Sequence, residues 1–150
     1  MGMKIARIVV GVEGSEGSAK AMLWTADLAR RTRASVVVVH AGDIPAYPTA
    51  FWGPGGLVNA DVFDKVMEAL QQQLDGEWTQ PLRDAGVTYS TRLEPGDPAV
   101  VLIDVVREEK ADLLVAGRRG RGGFSELVLG SVSHHLVHHS PVPITVVPPG

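Results

Sequence analysis

The chain has 150 residues, of which 45% are hydrophobic and none is cysteine, and its net charge is −3. This length predicts one domain over residues 1–150. The lack of cysteine excludes a disulfide framework and a thiolate metal site, and the small negative charge gives no basis for binding nucleic acid or an anionic membrane. No apolar run approaches the ~20 residues that a membrane span requires, so we expect a soluble, cytoplasmic protein.

Five short runs of mostly β-branched aliphatic residues predict β-strands. They are residues 5–10, 35–40, 87–93, 112–116 and 142–147. The run at residues 87–93 is the weakest of the five, and the final run extends from Val142 to Val147. Some runs are apolar at every position, as in VVVV at residues 36–39. Continuous apolar runs are typical of strands that are buried on both faces of a parallel sheet.

Helical patterns separate the predicted strands. Two stretches carry apolar side chains at helical period, and a third follows a capping aspartate and a proline suited to the first helical turn. Three predicted helices cover residues 18–31, 62–78 and 98–110, and the third of these is capped by Asp97 and has Pro98 at its first position. A fourth begins near Ser131 and ends before Pro141. The apolar stripes are Ala21, Met22, Ala26 and Ala29 in the first helix and Val62, Val66, Leu70, Leu74 and Trp78 in the second.

Strands that alternate with helices predict a fold of the α/β class, since parallel strands are joined by right-handed helical crossovers. We expect an open five-stranded parallel sheet of order 3-2-1-4-5 with helices on both faces. Ligands of such sheets bind beyond the carboxyl ends of the strands, where the strand order reverses. Here the reversal lies between the first and fourth strands.

A proline- and glycine-rich segment at residues 42–58 interrupts this scheme after the second strand. It holds three of the eight aromatic residues of the chain, Tyr47, Phe51 and Trp52. Long loops in compact domains are often functional. Two interpretations stay open for this segment: a hydrophobic flap packed on the domain, or a lid over a ligand.

A glycine-rich segment at residues 117–130 follows the fourth strand and holds five of the 17 glycines and three arginines. Gly120, Gly122 and Gly123 let main-chain amides approach an anion closely. The next helix begins at Gly130 and Ser131, where we expect the Ser131 side chain to cap it. The N-terminus of a helix attracts phosphate oxygens, so this segment predicts a phosphate site.

The segment is neither a P-loop nor a dinucleotide fingerprint. None of the four lysines follows a glycine, and no strand is followed by the Gly-x-Gly-x-x-Gly pattern. Residues 11–15, after the first strand, and residues 116–117, at the end of the fourth, face each other across the predicted crevice. Glu13 is then placed to bind ribose hydroxyls or a metal ion.

The spacing Gly117-x2-Gly120-x9-Gly130-Ser131 resembles the ATP-binding motif of the universal stress protein family. Residues 8–30, 36–41, 111–123 and 130–147 are also similar to segments of that family, so the resemblance covers essentially the whole chain. It implies a Rossmann-like fold of the adenine nucleotide alpha hydrolase type, ATP bound with Mg²⁺ or Mn²⁺, and a homodimer formed through the last strand at residues 142–147.

The resemblance also implies which residues bind the nucleotide, largely through main-chain groups. The adenine and ribose would contact the ends of the first two strands, the ribose also the end of the fourth, and the phosphates the glycine-rich segment and its arginines. The residues for the adenine and ribose are Gly11, Val12, Glu13 and Ala41, and those for the ribose alone are Ala116 and Gly117. The residues for the phosphates are Arg119, Gly120, Gly130, Ser131, Val132 and Ser133. The family usually has aspartate where this chain has Glu13, so a longer carboxylate must reach the same group.

We interpret the five histidines of the chain as structural or solvent-exposed residues rather than as metal ligands. His134 and His138, like His135 and His139, are four residues apart on the last helix, a spacing that can chelate a metal ion. No carboxylate or cysteine completes either set, so we assign no metal site and expect one pair to face the sheet. His40, at the end of a buried strand, is expected to be a hydrogen-bonding structural residue.

These observations favour a binding module in which ATP shifts a homodimer between states that differ in affinity for an unknown protein partner. No nucleophile and base pair is evident, and we assign no catalytic residue. One alternative is a slow ATPase or nucleotidyl-transfer enzyme in which Glu13 and a metal ion activate water. Another keeps the fold but binds AMP or cyclic AMP, or leaves the site empty in a protein that binds only other proteins.

Overall fold

Five parallel strands form one sheet in the computed structural model, which describes residues 2–42, 60–118 and 129–149. The strands are β1 (Arg7–Gly11), β2 (Ser35–Gly42), β3 (Tyr89–Pro95), β4 (Leu113–Gly117) and β5 (Ile144–Val147). They lie in the order β3-β2-β1-β4-β5, and every neighbouring pair is parallel. The predicted class and strand order are therefore confirmed, and each strand begins and ends within two residues of its predicted limits.

Five helices and one 3₁₀ turn connect the strands within the described residues. The helices are α1 (Glu16–Thr32), α2 (Ala60–Asp75), α3 (Gln80–Asp84), α4 (Pro98–Glu108) and α5 (Ser131–His139), and the 3₁₀ turn is Glu77–Thr79. None of these helices is long and apolar enough to cross a membrane.

The prediction of one unbroken helix over residues 62–78 is wrong. The helix ends at Asp75, and Trp78 belongs to the 3₁₀ turn. The break is stabilised by Arg83, whose guanidinium donates to the main-chain oxygens of Asp75, at 2.8 Å, and Gly76. These carbonyls have no N–H partner within the helix once it ends, so Arg83 supplies the hydrogen bonds that the carboxyl end of α2 lacks. The apolar stripe is buried only near the break: Leu74 is fully buried, whereas Val62 is 52% exposed.

Caps fix where the other helices begin. Ser15 accepts from the main-chain N–H of Ser18 at the start of α1, and Asp97 caps α4 as predicted, accepting from the N–H of Val100 at 3.1 Å. The prediction that Ser131 caps α5 is wrong. The cap residue is Gly130, in an extended conformation and without a side chain, and Ser131 is already the first helical residue.

The sheet has a hydrophobic core on each face, because successive strand side chains alternate in direction. Ile8, Val10, Val36, Val38 and Val115 pack with α1, α2 and α3 on one face, where the predicted α1 stripe of Ala21, Met22, Ala26 and Ala29 is buried. Val9, Val37, Val39, Leu114 and Ala116 pack with α4 and α5 on the other. Helices therefore cover both faces, as predicted.

Asp112 sets the alignment of β1 and β4 at their amino ends. Its carboxylate accepts from the main-chain N–H groups of Ala6, at 2.8 Å, and Arg7, at 3.0 Å, and its own N–H donates to the Arg7 carbonyl at 2.8 Å. This contact places Val10 beside Val115 at the other end of the strands. The two carboxyl ends that border the predicted crevice therefore lie side by side.

The expectation that one histidine pair of α5 faces the sheet is wrong. The buried residues of α5 are Ser133 and Leu136, and all four histidines are exposed. Leu136 packs into the second core and so determines which side of the helix faces the sheet. The segment at residues 42–58 lies, apart from Gly42, outside the described residues, so its two interpretations stay open.

Candidate functional site

The predicted site residues that the structure describes lie at the carboxyl ends of the strands and at the start of α5. Gly11 ends β1, and Val12 and Glu13 follow it; Ala41 is the last but one residue of β2; Ala116 and Gly117 end β4; Gly130 caps α5, and Ser131, Val132 and Ser133 form its first turn. Arg119 and Gly120 lie outside the described residues. The structure thus brings the other ten to the edge of the sheet where the strand order reverses.

The end of β1 is held to β2 by two hydrogen bonds. The N–H of Val12 donates to the Val39 carbonyl at 2.9 Å, and the His40 ring nitrogen Nδ1 donates to the Val12 carbonyl at 2.8 Å. A carbonyl only accepts, so this contact assigns the proton to Nδ1. The His40 ring also packs against Trp78, with ring centroids 5.2 Å apart. His40 is thus a structural hydrogen-bonding residue, as predicted, and it fixes Val12 beside Ala41.

The first turn of α1 joins the end of β1 to the end of β4. The N–H of Glu13 donates to the Ser18 hydroxyl at 3.4 Å, and one Glu13 carboxylate oxygen accepts from the N–H of Ser15 at 3.1 Å. Gly117 approaches the same turn from β4: a Cβ atom placed on it would lie 2.8 Å from the carbonyl carbon of Gly17 and 3.2 Å from the Ser18 nitrogen. The loop after β1 and the end of β4, which border the predicted crevice, therefore both contact the main chain at the start of α1.

The main chain of Arg118 connects β4 to β5 and α5. Its N–H donates to the Val147 carbonyl at 2.8 Å. Its carbonyl accepts from the N–H of Gly130 and from the hydroxyl of Ser133, both at 2.7 Å. Ser133 is 2% exposed, so its hydroxyl serves this internal contact. The N-terminus of α5 is thereby held directly against the end of β4.

The start of α5 has the properties of an anion site. The first N–H groups of a helix have no acceptor within the helix and carry the positive end of its dipole. Ser131 is exposed there, Val132 is half-buried, and Gly130 places no side chain over them. The main chain of Arg118 bonds to this turn, and the Nε atom of its side chain is buried and has no hydrogen-bond partner among the described residues. An unpaired buried donor is costly, so an anion that accepts from Arg118 would remove this cost.

A sequence model described as the universal stress protein family matches residues 4–148, nearly the whole chain. The chain belongs to the universal stress protein family.

Individual relatives agree with this assignment. This universal stress protein is similar to the stress response protein NhaX of Bacillus subtilis, with 28% identity over 94% of this chain and 96% of that protein. Its fold is similar to that of the universal stress protein UspA from Lactobacillus plantarum, with a TM-score of 0.79 and 20% identity over 97% and 99% of the two chains. It is also similar to a universal stress protein solved in complex with cAMP, with a TM-score of 0.69 and 25% identity over 99% and 100%.

Sequence reasoning missed the contacts that hold this universal stress protein's crevice together. The resemblance predicts that Gly117 contacts the ribose, and this stays a prediction; the structure shows that a glycine is required at this position for the approach of Gly17 and Ser18. The signal was present in the small residues at the start of the first helix, Ser15, Gly17 and Ser18. The role of the Arg118 main chain had no signal, because any residue has the same N–H and carbonyl.

We predict that Gly117→Ala lowers the free energy of unfolding by about 1–3 kcal/mol, because the added methyl meets main-chain atoms that cannot move aside. Urea denaturation measures this loss. Gly11→Ala is the matched control: its methyl would meet only the side chain of Leu102, 3.0 Å away, and we expect a smaller loss. Gly2→Ala, with no atom within 4 Å, should have no effect. Equal stability of the Gly117 and Gly2 variants would contradict the assignment of this contact.

Proposed function

We propose that this protein is an ATP-binding module that acts as a homodimer in a stress-response or signalling pathway. The adenine and ribose lie at the ends of β1, β2 and β4, and the phosphates lie at the start of α5. The observation that carries the proposal is the direct hydrogen bonding of the α5 N-terminus to the residue that follows β4, which supports an anion site beside the reversal of strand order.

The base and sugar are held mostly by main chain. Val12 and Ala41 have short apolar side chains that are almost fully buried, so they would contribute small apolar contacts to the adenine rather than long polar side chains. Glu13 supplies the carboxylate for the ribose hydroxyls from the loop that precedes α1. Its extra methylene, compared with the aspartate that is usual in the family, requires a different rotamer to reach the same atoms.

The phosphates are held by the first turn of α5 and by Arg118. Gly130 leaves the N–H groups of Ser131 and Val132 accessible, and the guanidinium of Arg118 supplies positive charge. Ser133 contributes through its N–H, since its hydroxyl is bound to the Arg118 carbonyl. The remaining predicted contacts, Arg119 and Gly120, belong to the segment between Arg118 and Gly130 and stay part of the proposal.

A Mg²⁺ or Mn²⁺ ion fits this site as a companion of ATP. The described residues contain no group of three or more histidine, aspartate or glutamate side chains that could hold a metal ion. Hard divalent cations in nucleotide sites are held by phosphate oxygens, water and one or two carboxylates, so a single carboxylate is enough. Glu13 is the residue that would provide it, and the ion would neutralise phosphate charge.

The similar protein solved in complex with cAMP supports an adenine nucleotide as the ligand, and it makes cAMP or AMP the second candidate. The anion site favours ATP. A helix N-terminus together with a buried, unpaired arginine nitrogen can accommodate more negative charge than one cyclic phosphate carries. A slow ATPase or nucleotidyl transferase is a further alternative that rests on Glu13 and the metal ion, and we assign no catalytic residue.

We predict that Gly130→Val weakens ATP binding at least ten-fold, because a branched side chain at the cap covers the N–H groups that hold the phosphates. Isothermal titration with ATP and Mg²⁺ measures the change. Gly2→Val is the matched control, since it makes the same replacement where the chain has open space, and its affinity should equal that of the natural protein.

Further outcomes of this titration, together with an assay of ATP hydrolysis, separate the alternative ligands and the enzyme from the proposed ATP-binding module. Unchanged affinity in Gly130→Val would show that the phosphates bind elsewhere. Tighter binding of cAMP or AMP than of ATP would favour the second candidate ligand. Steady ATP hydrolysis that is abolished by Glu13→Gln would support the enzyme, and hydrolysis no faster than in buffer would exclude it.

The homodimer is proposed to form through β5, which lies at the edge of the sheet. The Pro143 carbonyl accepts from the N–H of Leu114 in β4, and the Val147 carbonyl accepts from that of Arg118, which follows β4. Because main-chain groups alternate in direction along a strand, those of Ile144 and Val146 face the open edge. An apolar strand with unpaired main-chain groups favours pairing with a second chain.

We predict that Val146→Pro converts the homodimer to a monomer in sedimentation velocity at micromolar concentration, because proline removes an N–H that faces the open edge. Val146→Thr keeps this N–H and the branched shape, so it should remain a dimer. A natural protein that sediments as a monomer, or a Val146→Pro variant that stays dimeric, would contradict pairing through β5.

A further inference from the structure

The histidines of α5 form a polar cluster that the proposed nucleotide site does not use. His134, His135, His138 and His139 are all exposed, while Leu136 faces the core. The chain has five histidines, and the fifth, His40, lies in β2 with its Nδ1 atom bound to main chain. Four of the five imidazoles of the protein are therefore displayed on two turns of one surface helix.

The rings are already arranged as two pairs. The ring centroids of His134 and His138 are 4.7 Å apart, and those of His135 and His139 are 4.5 Å apart. Residues four apart lie one above the other on a helix. With Zn–N bonds of about 2.0–2.1 Å and a tetrahedral angle at the ion, two imidazoles on one ion have centroids about 5.2 Å apart. Each pair is therefore within about 0.7 Å of the separation that a shared metal ion requires, a difference that rotation of exposed side chains can supply.

The chemistry of these ligands selects a particular class of cation. Neutral imidazole suits zinc, nickel and copper, whereas Mg²⁺ and Mn²⁺ prefer oxygen ligands. His138 and His139 lie in the last turn of α5, where the negative end of the helix dipole favours a cation. No third protein ligand gathers with either pair in the described part of the chain, so water fills the remaining positions.

We propose that the exposed surface of α5 binds divalent ions of the zinc, nickel or copper class through two chelating pairs, His134/His138 and His135/His139. The proposal is independent of the proposed nucleotide site, which uses the main-chain N–H groups of the first turn of the same helix, Ser131 to Ser133, and harder cations. A bound ion links two successive turns of α5, so it stabilises the helix that carries the proposed phosphate site.

Two double variants test the proposal with the same number of histidines removed. His134→Ala with His138→Ala leaves the pair His135/His139 intact. His138→Ala with His139→Ala leaves His134 and His135, which are adjacent and do not face each other on a helix. All replaced side chains are exposed, so both variants should keep the natural melting temperature in the presence of EDTA.

The measurement is isothermal titration of ZnCl₂ into protein without a histidine tag, in a buffer that does not bind metals. We expect the natural protein and the first variant to bind zinc, and the second variant to bind it at least ten-fold more weakly than the first. A large excess of Mg²⁺ should not compete. Absence of zinc binding by the natural protein, or equal affinity of the two variants, would overturn the proposal.

Zinc-dependent melting gives a second, independent readout. ZnCl₂ should raise the melting temperature of the natural protein and of the variant that keeps His135/His139, and it should leave that of the other variant unchanged. An equal rise in both variants would show that zinc acts through other groups and would overturn the assignment to the histidine pairs. ATP titrations do not enter this test, so the nucleotide proposal can fail without affecting it.

Discussion

Two successive residues at the end of β4 hold four elements together. Gly117 lets the first turn of α1 approach to within contact of the strand, and the main chain of Arg118 bonds to β5 through its N–H and to α5 through its carbonyl. Moving either residue would separate the start of α5 from the crevice beside β1. The position of the proposed anion site therefore follows from the packing of main chain against main chain, where a side chain at residue 117 would not fit.

This arrangement explains why the proposed site relies so little on long side chains. Val12 and Ala41 are fixed by strand pairing and by the His40 contact, and the first turn of α5 is fixed by the Arg118 carbonyl. Groups that are held in place before the ligand arrives lose little conformational freedom on binding. In the proposed site, specificity for the adenine and the phosphates would then depend on main-chain geometry, with Glu13 and Arg118 as the charged additions.

The sequence predicted what depends on local pattern and failed where tertiary contacts decide. Continuous apolar runs identified the parallel strands, and the Asp97-Pro98 pair located the start of α4. The end of α2 could not be found from its apolar stripe, because the break depends on Arg83 reaching back to the carbonyls of Asp75 and Gly76. The orientation of the α5 histidines depends on Leu136 entering the core, which residue spacing alone does not determine.

The most direct test of the central claim is amide NMR mapping of the ATP site. On addition of ATP and Mg²⁺, we predict the largest shift changes at Gly11 to Glu13, Ala41, Ala116, Gly117 and Gly130 to Ser133. The amides of Ala6, Arg7 and Asp112, at the opposite ends of β1 and β4, should change little. Shift changes confined to that opposite end of the sheet, or none at saturating ATP, would contradict a nucleotide site at the carboxyl ends of the strands.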